Sequence, residues 1–383
     1  MKTELAIVGA GPAGLAAAVE AARLGVQVTV IDENLRPGGQ LFKQIHKFFG
    51  SSEHMAGTRG VDIGRMLLGQ CDSLGAEVKL GTVAYGLFEP RTIGTIEADS
   101  GSLGKRKGSI QAERIILATG AVENSLAFPG WTLPGVMTAG AAQTFMNVHR
   151  ALPGRKVLVV GAGNVGLIVS YQLLQAGAEV AAVVEALPRI GGYGVHAAKL
   201  TRVGVPFLTR HTVVRATGAE TVEEVVVAEL DEKGKPIPGT ERAFAVDTIC
   251  LAVGLTPVAE LAWMIGCRFK HISALGGQVP VHNEDMETTL EGIYVAGDIA
   301  GVEEASTAME EGRLAGIAAA EAMGFLKTDP ARAKKDEIRE RLWALRQGPF
   351  GYGRRAAKQA LIEEWYDDER RSGGNGNNLG IRA

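Results

Sequence analysis

The chain has 383 residues, enough for two or three domains of ordinary size, and its 46% hydrophobic and 22% charged content is that of a globular protein with substantial cores. A formal net charge of −3 excludes a global field favouring nucleic acid or an anionic membrane. The 3 cysteines, Cys71, Cys250 and Cys267, form no CxxC pair, so they read as buried, inert thiols rather than a redox dithiol, a zinc site or an iron–sulfur cluster.

Met1-Lys2-Thr3-Glu4 leads straight into an apolar strand, Leu5-Ala6-Ile7-Val8, and no secretory leader is expected. No apolar run reaches the ~20 residues that span a bilayer, and a soluble cytoplasmic protein is expected. The strand runs into Gly9-Ala10-Gly11-Pro12-Ala13-Gly14 and then an Ala-rich helical stretch. In a strand–turn–helix of this kind Gly9 permits the tight turn, Gly11 lets backbone approach a pyrophosphate, and Gly14 lets helix and strand pack closely. The helix starting near Pro12 and Ala13 aims unpaired N–H groups and its positive dipole end at phosphate. Val26 to Ile31 reads as the second strand and ends at Asp32, whose carboxylate can accept hydrogen bonds from both hydroxyls of an adenosine ribose. Glu33 is a possible substitute. Arg36-Pro37-Gly38-Gly39-Gln40 reads as a glycine turn that could carry backbone, at Gly39 and Gln40, past a pyrophosphate or flavin.

Residues 61–74 have helical spacing, with Ile63, Met66, Leu67 and Leu74 on one side. Val78 to Leu87 and Thr92 to Asp99 read as strands, and Ser102 to Ser109, with Lys105-Arg106-Lys107, as a solvated hairpin tip. Arg114 to Ala118 reads as a buried strand running into Thr119-Gly120. Residues 125–154, with Pro129, Pro134 and Pro153, read as an irregular crossover.

From Arg155 the first pattern repeats. Val157-Leu158-Val159-Val160 precedes a second glycine turn, Gly161-Ala162-Gly163-Asn164-Val165-Gly166, and a β-α-β unit extends to 185. Strands near 205–215 and 222–230, a turn at 232–236 and a strand from Thr248 to Ala252 complete it, so 1–121 resembles 155–257 in layout. By count from the glycine turn, the position matching Asp32 is Val184, and the acid falls one residue later, at Glu185. A carboxylate there opposes the 2′-phosphate of NADP and favours NAD(H). Further on, the short strand Tyr294-Val295-Ala296 ends in Gly297-Asp298 and precedes an Ala-rich helix over about 304–323. A carboxylate at that turn can bind the ribitol hydroxyls of a flavin, or simply cap the helix. The stretch after about 328 is highly charged, with helical spacing at 331–346 and 354–371. Its aromatic residues, Trp343, Phe350, Tyr352, Trp365 and Tyr366, read either as anchors for a partner or as packing on the chain's own domains. Ser372-Gly373-Gly374-Asn375-Gly376-Asn377-Asn378 is too polar to bury itself.

In this order, Gly9–Gly14, Ala118-Thr119-Gly120, the inserted Gly161–Gly166 and Tyr294-Val295-Ala296-Gly297-Asp298 resemble the flavoproteins with two dinucleotide-binding domains related to thioredoxin reductase and glutathione reductase. The resemblance covers about 1–325. It implies an α/β fold of two Rossmann-like domains, the second inserted in the first, to which the charge and spacing of the later residues add a helical C-terminal tail. The expected organisation is a split FAD-binding domain, 1–124 and 280–327; a crossover, 125–154; a second nucleotide-binding domain, 155–279; a charged helical tail, 328–371; and disorder over 372–383. FAD would rest on Gly9, Gly11, Pro12, Ala13, Gly14, Asp32, Glu33, Gly39, Gln40, Thr119, Gly120, Gly297 and Asp298. NAD(H), or another adenine nucleotide without a redox role, would rest on Gly161, Gly163, Asn164, Val165, Gly166 and Glu185.

The crossover segment Phe128-Pro129-Gly130-Trp131-Thr132-Leu133-Pro134-Gly135-Val136-Met137-Thr138-Ala139-Gly140-Ala141-Ala142-Gln143 carries a narrower resemblance, as does Phe42-Lys43-Gln44-Ile45-His46-Lys47-Phe48-Phe49-Gly50. Both are similar to α subunits of bacterial heteromeric amine and amino-acid dehydrogenases and oxidases, the sarcosine oxidase, dye-linked proline dehydrogenase, opine oxidase and hydrogen cyanide synthase group. That resemblance implies a partner in the form of a β subunit, with a small-molecule substrate and transfer of electrons between FAD, NAD(H) and the partner. Several members carry a cysteine-rich iron–sulfur extension. The residues after 328 hold no cysteine, so the expectation is no iron–sulfur cluster in this chain and, if one is used, a separate iron–sulfur protein. A stand-alone NADH:acceptor oxidoreductase and a nucleotide-loaded structural subunit stay open as alternatives. His46, His149 and His196 are the histidines nearest the expected crevices, but no general base stands out. Hydride exchange between nicotinamide and flavin needs rings stacked at about 3–3.5 Å rather than a protein acid.

Overall fold

The structure, a computed structural model, describes residues 1–98 and 105–373. Leu5-Ala6-Ile7-Val8 and Ile115-Ile116-Leu117 are unbroken apolar runs because parallel strands at the centre of a sheet are covered on both faces. Among the described residues they belong to a seven-stranded sheet. Glu77–Lys79, Val28–Ile31, Lys2–Val8 and Lys105–Leu117 lie side by side and parallel. The free edge of Lys105–Leu117 is used twice: residues 105–111 pair antiparallel with Thr92–Ala98, and 115–117 pair parallel with Ile293–Val295. Thr82–Phe88 completes an antiparallel meander.

The second sheet repeats the parallel half. Phe207–Thr209, Glu179–Glu185, Lys156–Val160, Thr248–Leu251 and Val136–Thr138 are all parallel, in that order. A separate antiparallel meander, His211–Thr217, Glu224–Glu229 and Arg242–Ala245, packs on this sheet. Val157 and Val159 face the helices Ala139–Asn147 and Asn164–Gln175, whereas Leu158 and Val160 face the meander through Val213, Val225 and Val227. This is the period-2 alternation of a strand buried on both sides.

The chain divides into two compact units, Met1–Val122 with the residues from Thr256 onward, and Glu123–Leu255. The return to the first unit therefore comes at 255/256, earlier than the 280 expected from sequence. The hairpin Phe269–Ile272 and Gly277–Pro280 belongs with the first unit, where Leu275 and Val279 bury against Leu361. The stretch 125–154 is not merely a crossover either. It supplies the edge strand Val136–Thr138 and the helix Ala139–Asn147, whose Ala-rich start is capped by Thr138, Oγ1 accepting from the Ala141 N–H at 3.4 Å. Lys105-Arg106-Lys107, expected at a hairpin tip, forms the start of the strand Lys105–Leu117; the rest of that expected turn, 99–104, lies outside the described residues.

In the first unit the helix Pro12–Arg23 lies against the helix Ala305–Ala322. A Cβ on Gly312 would stand 2.1 Å from the Ala13 carbonyl oxygen, and one on Gly316 2.5 Å from that of Ala17. Glycine one turn apart on one helix, against alanine one turn apart on the other, is what lets the backbones approach. The charged tail folds as two helices, Thr328–Leu345 and Tyr352–Gly373. They pack on their own unit: Ala331, Lys335, Ile338 and Leu342 form the buried stripe of the first, and Lys358 and Leu361 are buried in the second. Trp365 joins this packing, its indole N–H donating to the Thr288 carbonyl at 3.1 Å, while Trp343, Phe350, Tyr352 and Tyr366 stay exposed. The polar stretch expected to be disordered lies, beyond Gly373, outside the described residues. Among the described residues no helix is long and apolar enough to cross a membrane.

Candidate functional site

Each glycine turn sits at the carboxyl end of the central strand of its parallel sheet, where open α/β sheets bind ligands. In the first unit the Gly9 N–H donates to the Ile31 carbonyl at 2.7 Å, and Gly9 holds φ +109°. A Cβ there would lie 2.2 Å from the Ala118 oxygen, and one on Gly14 1.8 Å from the Gly9 oxygen, so neither position tolerates a side chain. The Asp32 carboxylate closes the turn. Its Oδ2 accepts from the Ala10 N–H at 2.6 Å, and its Oδ1 accepts from the backbone and side-chain amides of Asn34, both at 2.8 Å. Hydrogen bonds of this charge-assisted kind contribute about 1.5–3 kcal/mol each. An ionised carboxyl has about four acceptor sites, so Oδ2 retains capacity for a hydroxyl donor. Glu33, by contrast, is exposed, as is Gln40.

The second unit builds the same turn from different residues. The Gly161 N–H donates to the Val184 carbonyl at 2.7 Å, with φ +106° at Gly161. A Cβ on Gly161 would lie 2.2 Å from the Ala252 oxygen, and one on Gly166 2.0 Å from the Gly161 oxygen. Glu185 Oε2 accepts from the Ala162 N–H at 2.7 Å and Oε1 from the Leu187 N–H at 2.9 Å. The counterpart of Ile31 is therefore Val184, and the counterpart of Asp32 is Glu185. This corrects the register inferred by counting. Leu5–Val8 pair with Val28–Ile31 without interruption, but the register of Glu179–Glu185 on Lys156–Val160 shifts between Val180 and Ala182. The β-bulge absorbs one extra residue and brings the acid to the place that Asp32 holds in the first unit.

A second repeated element escaped the sequence reading. The Gly38 N–H donates to the Ala10 carbonyl at 2.7 Å, and the Gly192 N–H donates to the Ala162 carbonyl at 2.9 Å. Arg36-Pro37-Gly38-Gly39 and Arg189-Ile190-Gly191-Gly192 are alike in sequence, a signal that could have revealed the pair, although the bonded glycine is the third residue of one and the fourth of the other. Gly39 meets the first turn closely, a Cβ on it falling 2.8 Å from the Gly11 Cα. On the other side Asn164 Oδ1 accepts from the Tyr193 N–H at 2.8 Å, and Val165 is exposed at the start of its helix. Gly163 is open, with nothing within 4 Å of a Cβ placed on it.

Both turns suit an anion. The helices Pro12–Arg23 and Asn164–Gln175 start from Gly11 and Gly163, without a side-chain cap and without an acidic residue in the first turn. Their leading N–H groups and positive dipole ends are thus left for a ligand. Thr119 Oγ1 donates to the Val258 carbonyl and the Val258 N–H to the Gly120 carbonyl, which fixes the strand end beside the first turn.

Gly297 and Asp298 follow the strand Ile293–Val295 into the same region, with a Cβ on Gly297 only 2.9 Å from the Ala13 Cβ. The Asp298 carboxyl is pushed up to about 6, chiefly by burial, with the Glu311 and Glu303 carboxylates acting in the same direction. The residues thus fit FAD at the first turn: a glycine cradle that a Cβ would fill, an uncapped helix start, a ribose-type acid, and a half-buried carboxyl with room for hydroxyl partners.

No catalytic dyad replaces the flavin among the described residues. His196 is buried and its pKa lowered by burial and by Lys199, His149 is exposed, and His46 is stacked 6.0 Å from Phe48. The three cysteines are free and buried; burial pushes the Cys71 and Cys250 thiols up to about 12 and raises that of Cys267. Thiols held protonated in this way are poor nucleophiles.

The family profile described as pyridine nucleotide-disulphide oxidoreductase matches residues 3–312. An opine oxidase component from Agrobacterium tumefaciens (strain Ach5), one subunit of that enzyme, is 32% identical over 340 residues, covering 82% of this chain and 65% of that protein. The chain thus spans 65% of the length of that relative. The hydrogen cyanide synthase subunit HcnB of Pseudomonas aeruginosa is 28% identical over 379 residues, covering 93% of this chain and 80% of that one. Among solved structures, the thioredoxin reductase of T. acidophilum superposes with a TM-score of 0.65 at 19% identity, over 84% of this chain and 99% of that one, and shows the expected fold.

Proposed function

The chain belongs to the pyridine nucleotide-disulphide oxidoreductase family, whose members bind FAD and NAD(P), and we propose that it is the flavin subunit of a heteromeric amino-acid or secondary-amine dehydrogenase or oxidase. In this reading FAD takes the first turn and NAD(H) the second. The observation that carries it is the duplicated turn in which Asp32 and Glu185 each receive the N–H of the second turn residue. Bound FAD supplies hydride acceptance and release. Gly9 and Gly14 would keep the tight turn and the close helix–strand contact, Gly11 would admit its pyrophosphate, Asp32 would hold the adenosine ribose, and Asp298 would take hydroxyls of the ribitol and pyrophosphate region. In the second unit the Glu185 carboxylate repels a 2′-phosphate, which selects NAD(H).

The names of the relatives support a partner: the opine oxidase and hydrogen cyanide synthase proteins are each one part of an assembly. We assign this chain a β subunit that oxidises a small amine or amino acid, and an iron–sulfur protein on a separate polypeptide if electrons leave by that route. The test is anaerobic titration of the purified, FAD-reconstituted protein with NADH while the visible flavin bands are followed. Bleaching at about one NADH per flavin supports the assignment. A colourless protein that takes up no FAD refutes it, and a bound flavin that NADH leaves oxidised reduces the second nucleotide to a structural ligand.

A further inference from the structure

The C-terminal helices reach the flavin turn through buried ion pairs. Glu311, on the helix Ala305–Ala322, is 2% exposed. Its Oε2 accepts from the Gly297 N–H at 3.0 Å, and its Oε1 accepts from Arg346 Nη2 and from Lys358 Nζ, each at 2.6 Å. Lys358 Nζ also donates to the Ala300 carbonyl at 2.8 Å. Arg346 grips the Glu303 carboxylate with Nε at 3.1 Å and Nη2 at 2.7 Å, and the Glu303 N–H in turn donates to Asp298 Oδ1 at 3.3 Å. The segment 297–303 is therefore held at Gly297, Asp298 and Ala300 by groups whose counter-charges come from Arg346 and Lys358.

We propose that Arg346 and Lys358 are positioning residues for the flavin: the tail is a built-in clamp that sets the Gly297-Asp298 turn through Glu311 and Glu303. The proposal rests on the FAD reading above. Buried carboxylates in this number would repel one another without nearby cations, and loss of Lys358 leaves Glu311 and Glu303 to share Arg346 alone, too little for two buried charges. The turn then shifts to seek solvent, and Asp298 leaves the place where the ribitol hydroxyls meet it. The stretch 297–313 lacks a lysine, and its single arginine, Arg313, pairs with Glu310 rather than with Glu311, so the compensation comes from the tail.

Lys358→Met tests this in the full chain, with FAD dissociation constant, flavin reduction potential and apoprotein melting measured together. Lys335→Met is the control. Lys335 is also a buried tail cation, paired with Asp285 and Glu321 at 2.7 Å, but it touches no part of the turn. Expected is at least a tenfold weaker FAD affinity and a shifted potential for Lys358→Met, recovery to within threefold in Lys358→Arg, and unchanged FAD affinity in Lys335→Met despite a lower melting temperature. If Lys358→Met fails to fold, the neutral pair Glu311→Leu with Lys358→Met strands no buried carboxylate but still removes the acceptor of the Gly297 N–H and the donor to the Ala300 carbonyl, and is expected to weaken FAD to the same extent. Wild-type affinity and potential in either folded variant, or equal loss in Lys335→Met, overturns the clamp. Wild-type protein that takes up no FAD instead overturns the flavin reading on which it stands.

Discussion

Gly161 and Gly163 make opposite demands on a methyl group, and exchanging each for alanine separates folding from binding. In Gly161→Ala the new Cβ falls 2.2 Å from the Ala252 oxygen, far inside ordinary contact, at a φ of +106°. The backbone strain costs about 1–3 kcal/mol. The overlap adds about 1–3 kcal/mol, because its partner is backbone held by the 2.7 Å bond from the Ala252 N–H to the Val160 carbonyl. The second unit should lose about 4 kcal/mol, which lowers its melting transition by roughly 10–20 °C. Gly163 has an extended backbone, φ −74° and ψ 177°, and nothing within 4 Å of a Cβ. Gly163→Ala should therefore cost less than about 1 kcal/mol in the ligand-free protein. Its methyl nevertheless occupies the face that the proposed NAD(H) pyrophosphate would approach, and the NADH dissociation constant should rise at least tenfold. Scanning calorimetry of the ligand-free variants and NADH titration of each decide the matter. A Gly161→Ala protein that melts like wild type, or a Gly163→Ala protein that binds NADH like wild type, would refute the reasoning.

Two further outcomes are expected. Asp298, held at about 6 and above an ordinary carboxyl, binds its proton more tightly in the folded apoprotein than in the unfolded chain. The associated stability is complete below about pH 4 and is lost as pH rises through 6, by at most about 3 kcal/mol. Asp298→Asn should therefore become more stable relative to wild type from pH 4 to pH 7.5 in urea titrations of apoprotein, and a pH-independent difference would contradict the assigned burial. Glu185→Ser should improve NADPH affinity relative to NADH at least tenfold, about 1.4 kcal/mol, in parallel titrations. An unchanged ratio would show that Glu185 does not face the 2′ position.

The glycine turns, their strands and their helices are local chemistry, and the sequence states them in full: an apolar run covered on both faces, glycines where a Cβ has no room, an uncapped helix start. The repeat in layout follows from the same signals. The bulge between Val180 and Ala182 is a pairing event between strands and leaves no mark in a linear count, so Glu185 looked misplaced until Lys156–Val160 lay beside it. The return at 255/256 was hidden for a similar reason, because the hairpin 269–280 reads the same whichever unit covers it.

The tail shows the limit most clearly. Its helical spacing is legible, and so is its charge. That Lys358 and Arg346 lie buried against Glu311 is not, because the partners stand 47 and 35 residues apart and an ion pair has no periodicity. Composition and local sterics determined which segments fold and where nucleotides can be held. Tertiary structure alone decided which distant charges meet, since burial, not sequence spacing, makes such a meeting obligatory.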